Sequence, residues 1–153
     1  MTKLSDSFAA KPFPATATTP TAYLEINDAP FDVTYVFPAK DFGAAANWTE
    51  VIESPPGYRG VVRAVTLYDV TEVFNAPTTP AYVYVGISGD IDAYALSASL
   101  GTLAANASDS PALTDGATRF IPANTTIHVT GVGVTGTLPT GIATTAVTIQ
   151  YFK

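Results

Sequence analysis

The sequence predicts an all-β protein, an antiparallel jelly roll or β-sandwich of about eight strands with an extended N-terminal arm. Three observations point there. Short segments rich in Val, Ile, Thr, Tyr and Phe alternate apolar and polar residues with a period of two. Clusters of Pro, Gly, Asn and Asp punctuate them at the spacing of sandwich turns. No segment carries a strong amphipathic helical period, and no internal repeat is present. The length of 153 residues fits one domain with its own core.

Residues 1–21 read differently from the rest. Pro12, Pro14 and Pro20 fix φ and remove backbone donors, and the Thr and Ala between them have little to bury. This segment is expected to be extended, either a disordered terminus or an arm lying on a neighbouring subunit. Phe8 and Phe13 favour the arm, because they are large apolar groups with no core of their own. The β domain is expected over residues 22–153.

Within it, Tyr23 to Ile26 is short and β-prone and ends at Asn27-Asp28-Ala29-Pro30. Phe31, Val33, Tyr35 and Phe37 fall on one face of a strand that Pro38 is expected to stop. Residues 39–47 read as a loop, with a possible helical turn at Ala44-Ala45-Ala46. Glu50 to Glu53 is a short strand halted by Ser54-Pro55-Pro56-Gly57. Tyr58 to Phe74 exceeds a normal strand, so a bend, a bulge near Tyr68-Asp69 or a passage between sheets is expected. After the turn at Asn75 to Pro80, the strand from Ala81 to Ile87 sets Val83 and Val85 opposite Tyr82 and Tyr84, and Ser88-Gly89-Asp90 turns the chain. Residues 93–105 carry both strand and helical spacing and are read as a short helix or irregular crossover. Residues 106–116 form a polar loop. Strands follow at Thr118 to Ile121, Thr125 to Val134 and Thr144 to Phe152.

Composition limits the function. Charged residues make up 13% of the chain and the net charge is −6. An acidic chain whose seven Lys and Arg are scattered is a poor match for nucleic acid or an anionic membrane. A surface of Thr, Ser, Asn and Ala suits a protein packed against neighbours. The absence of Cys favours assembly in a reducing cytoplasm. The start at Met1-Thr2-Lys3-Leu4 lacks a signal-like apolar core, and no window is apolar enough for a membrane helix.

No constellation for catalysis stands out. His128 is the single His and lies in a strand, where a solvent-facing or structural role is expected, since a metal site takes several such ligands. Asp90 and Asp92 fit a turn better than a Ca²⁺ loop. Asp109, Ser110 and Asp115 would need His128 to make a triad, and no Gly-x-Ser-x-Gly elbow is present. Gly131-Val132-Gly133-Val134-Thr135-Gly136 matches the dinucleotide pattern in letters only, because no helix is expected after it; its glycines are read as allowing twist or close backbone approach. The expectation is a protein with no catalytic residue, metal, cofactor or small-molecule substrate. Trp48, the single Trp, is read as either capping the core or anchoring an interface, and Pro55, Pro56 and Tyr58 form a second candidate contact surface.

The runs from Pro55 to Val65, Val70 to Phe74, Ala81 to Tyr94, Phe120 to Ile127 and Val147 to Phe152 resemble, in short phrases across residues 55–152, the small β-rich structural proteins of tailed bacteriophages. The resemblance implies a capsid decoration (cement) protein. Such a protein is a jelly roll that binds the major capsid protein as a homotrimer on the outside of the virion, has no catalytic residues, and is made in the host cytoplasm. Phe8, Phe13, Trp48, Pro55, Pro56 and Tyr58 are then the expected contact residues. The alternatives are a tail or head-fibre component, or a carbohydrate-binding module, that stacks glycans on Trp48, Tyr82 and Tyr84.

Overall fold

A computed structural model describes residues 29–43, 47–75, 80–115, 120–133 and 140–153. The arm with Phe8 and Phe13, the strand expected at Tyr23 to Ile26 and the turn at Ala44 to Ala46 lie outside the described residues. The described residues hold nine strands, in order: β1 Phe31–Asp41, β2 Trp48–Glu53, β3 Arg59–Glu72, β4 Tyr82–Ile87, β5 Asp90–Ser97, β6 Leu113–Asp115, β7 Phe120–Ile121, β8 Thr126–Val132 and β9 Ile142–Phe152.

They form two antiparallel sheets, β1-β9-β3-β7 and β2-β8-β4-β5-β6. The pairs are nested. The β4–β5 hairpin lies in the second sheet, β3 pairs β7 in the first, β2 pairs β8 in the second, and β1 pairs β9 in the first. A long antiparallel ribbon whose successive pairs alternate between two facing sheets is a jelly roll. The ninth strand, β6, is an addition that pairs with the outer edge of β5.

Period-two patterning positions the core. Tyr35 and Phe37 of β1 point inward and Asp32, Thr34 and Val36 point outward. Val83 and Val85 of β4, Ile127 and Val129 of β8, and Val147, Ile149 and Tyr151 of β9 are fully buried. Each such side chain contributes about 1.5–3 kcal/mol through lost contact with water. Burial of the Tyr35 and Tyr151 phenols leaves no polar orphan, because the two hydroxyls bond each other at 3.0 Å. As the inner strand between β1 and β3, β9 is shielded on its outer face too, where it keeps the small residues Thr144 and Ala146.

Four details depart from the sequence expectations. Pro38 does not end β1: the ladder shifts register between Phe37 and Lys40, Ala39 takes φ 49°, and the strand runs on to Asp41. β1 is an edge strand, so the missing Pro donor costs the ladder little. Trp48 begins β2 instead of preceding it in a loop. The helix or crossover expected at residues 93–105 is strand up to Ser97, because β4 and β6 both pair with this segment and cross-strand packing overrides the Ala-rich propensity. The polar loop at 106–116 contains β6. The long strand does behave as expected: β3 keeps 14 residues in one sheet, with a register break between Tyr68 and Glu72 and Asp69 at φ 49°.

Candidate interaction surfaces

The sandwich has two ends and two outer faces, and the sequence-predicted residues divide among them. One end is sealed by aromatics. Trp48 packs edge-on against Phe42 at 5.5 Å and lies 6.3 Å from Phe37, while Phe42 meets Phe74 at 5.2 Å. The indole rests on Gly131 of β8, opposite it in the ladder. A Cβ at Gly131 would come within 2.1 Å of the ring, so glycine here makes room for a side chain and not for a backbone. The Lys40 ammonium sits 5.4 Å from the Trp48 ring centre and pairs with Glu50. Trp48 is therefore half-buried and built into the end of the core.

The opposite end carries the other predicted contacts. Pro55 is buried and Pro56 exposed. The Tyr58 amide donates to the Pro55 carbonyl at 3.1 Å, closing the turn, and the Gly57 amide donates to Asn124 Oδ1 at 3.0 Å. Tyr58 stands edge-on to Phe31 at 5.3 Å, with Lys153 Nζ 5.5 Å from its ring centre. Beside it, Phe120 of β7 meets Phe152 edge-on at 6.2 Å, and the Arg59 guanidinium lies 5.5 Å from the Phe152 ring centre. Phe120 is 61% exposed, well above Val73, Val36, Val51 and Ile91. Its strand is the one expected at Thr118 to Ile121, but two residues show no period, so the sequence does not mark Phe120 as the exposed one.

The outer face of the β1-β9-β3-β7 sheet is built in rows. Val36, Ala146 and Thr66 make one, and Thr34, Thr148 and Ala64 make the next. Thr34 and Thr148 hydroxyls bond at 2.9 Å. These rows carry no charged side chain between Asp32 on β1 and the bulged, exposed Arg63 on β3.

The outer face of the other sheet holds Tyr82 and Tyr84, with ring centres 6.1 Å apart, and half-buried His128 opposite Val51 and Gly86. Partial burial, then Tyr82, then Asp92 raise the Tyr84 hydroxyl above its ordinary pKa. Gly86 is obligatory: a Cβ there would come within 2.1 Å of the Asp90 carbonyl oxygen, which the β4–β5 bulge brings over it.

The predicted chemical groups are not brought together. Asp109 bridges Leu67 on β3, and Ser110 Oγ meets Thr66 Oγ1 at 3.2 Å, both against the sheet opposite to His128. Asp90 opens β5 after the Ser88-Gly89 turn. Among the described residues no three His, Asp or Glu side chains cluster as a metal site would require.

No protein-family model matches the chain, and no curated protein matches it. A solved chain from the cyanophage Pam1 capsid asymmetric unit is similar to it, with a TM-score of 0.42 and 20% identity, over 92% of this chain and 100% of that one.

Proposed function

We propose that the protein is a structural component of a tailed-phage virion, a decoration protein that lies on the outer face of the head, binds the major capsid protein as a homotrimer and holds neighbouring capsomers together. The observation that carries this reading is the pair of uncharged rows at the centre of the outer face of the β1-β9-β3-β7 sheet. Thr34, Val36, Ala64, Thr66 and Thr148 present short side chains around the buried Ala146. Such side chains lose little rotamer freedom when covered, so a broad contact costs little in ordering. Of the phage-like phrases of the sequence, Pro55 to Val65 contributes Ala64 to this face and Val147 to Phe152 contributes Thr148. Binding that requires the assembled lattice stabilises that lattice over free subunits by mass action. The arm of residues 1–21 would add a tether.

Co-sedimentation of the full chain with empty capsids tests the reading. Wild type is expected to pellet with capsids, and Val36→Lys together with Thr66→Lys to stay in the supernatant while melting like wild type. Pelleting by the charged variant would defeat it.

The neighbouring Tyr82 and Tyr84 rings on the other sheet favour one competing reading, glycan stacking by a fibre component. Glycan-array binding lost in Tyr82→Ala, with no capsid binding, would select it.

A further inference from the structure

Among the described residues the most exposed large apolar side chain, Phe120, does not stand alone. It shares an edge with Phe152, over which Arg59 lies, and Arg63 is exposed farther along β3. An apolar and cationic patch is unexpected on a chain of net charge −6. Lys40 at the other end is already engaged by Glu50.

The far end of the same strand has the opposite character. Glu72 at the close of β3 pairs in register with Ile142, which pairs on its other side with Asp41, so the two exposed carboxylates flank β9 in one row. Asp69 is pushed out by the bulge at φ 49°, and Val73 next to Glu72 is 44% exposed. The two poles thus match in kind: aromatic with cations at one, aliphatic with anions at the other. Along β3 they are roughly 40 Å apart at about 3.3 Å per residue. They cannot meet within one molecule.

We propose that the Phe120–Phe152–Arg59 pole of one copy docks on the Asp41–Glu72–Val73 pole of a second copy, joining subunits head to tail. The surface that receives the cationic pole must be acidic with an apolar element, and this chain carries one. A head-to-tail contact uses two different patches per subunit, so every copy offers one of each and the set closes into a ring or grows. The cation–π contact, with a 3.5 Å hydrogen bond from Arg59 Nη2 to the Lys153 main-chain oxygen, holds the exposed guanidinium in place, which reduces the ordering cost of the contact. The uncharged rows between the poles stay free. The proposal does not depend on capsid binding, and its test contains no capsid.

The test is sedimentation velocity of the full chain, at about 20 mM and about 500 mM salt, where screening differs most. Wild type is expected to form one oligomer at low salt that weakens at high salt. Arg59→Glu and Glu72→Arg are each expected to raise the dissociation constant at least about tenfold and to lose the wild-type salt dependence, whereas Phe120→Ser should raise it similarly and leave that dependence in place. Arg59→Glu combined with Glu72→Arg on one chain restores both contacts with signs exchanged, so assembly should return; a merely structural role for either residue would not produce that rescue. A wild-type monomer at about 100 μM, an oligomer indifferent to Arg59→Glu, or a folded double variant as dissociated as the singles would each overturn the proposal. So would an oligomer that survives Arg59→Glu but is lost on deleting residues 1–20, which would make the arm the link instead.

Discussion

Thr145 is a polar residue where the pattern calls for an apolar one. It faces the core from β9, opposite Phe37 on one side and Leu67 on the other, and is fully buried. Among the described residues its hydroxyl has no hydrogen-bond partner. A buried, unsatisfied hydroxyl costs about 1–3 kcal/mol. Thr145→Val removes the hydroxyl and keeps the shape, so it should raise stability by about 1 kcal/mol, read as a higher midpoint in urea at unchanged slope. A lower midpoint would mean that the hydroxyl finds a partner. Tyr84 shows the residue scale on the surface. Its folded-state pKa is raised, so as pH rises the unfolded chain ionises first. Stability is therefore whole below about pH 10 and is lost as pH climbs through the folded value. Tyr84→Phe should flatten the alkaline fall in the urea midpoint, and an unchanged fall would refute the assignment.

Strands are held in register by more than their ladders. β4 and β5 pair directly at Tyr84 with Leu96 and Val85 with Ala95. Where the ladder would next continue, the Val83 amide donates instead to Ser97 Oγ at 2.9 Å, in a buried setting. Ser97 thus replaces a backbone acceptor at the end of a strand that composition alone reads as helix or crossover. Ser97→Ala leaves that amide unsatisfied and should cost about 1–3 kcal/mol, with faster hydrogen exchange at Val83 than at Val85. Equal exchange in variant and wild type would show that the bond is dispensable. The same element shows where sequence reading works. Alternation in β1, β4 and β9 was legible because each meets water, or a small-residue face, on one side. In β5, Ala93, Tyr94 and Ala95 are all buried, so no alternation is left to read. β6 spans three residues, too short for a period, within what reads as a polar loop, whereas β7 falls inside the strand expected at Thr118 to Ile121. The cationic pole was invisible for a related reason: Arg59, Phe120 and Phe152 come from three strands and become neighbours only through the order β9-β3-β7.

At the scale of the molecule, the nested pairing sets how the chain must fold. The β4–β5 hairpin closes across the two-residue Ser88-Gly89 turn, whereas β1 meets β9 by pairing Phe31 with Tyr151 across nearly the whole described chain. Each outer pair closes a longer loop than the one inside it, and that entropy must be lost before the pair's contacts repay it. Pairs inside the nest shorten the loops left for the outer ones, so the lowest barrier runs from the hairpin outward. A topology so rich in distant contacts predicts refolding in about milliseconds to seconds. It also predicts how mutations divide between the rates. Val85→Ala, in the inner hairpin, should slow refolding by most of its stability loss. Ile149→Val, on β9 between β1 and β3, should leave refolding nearly unchanged and speed unfolding. Both side chains are fully buried, so both substitutions should lose enough stability for the ratio to be measured. Chevron plots of the two variants decide the matter. If Ile149→Val slows refolding as strongly as Val85→Ala, the nucleus includes the joining of β9 to β3 and β1, and the outward order is wrong.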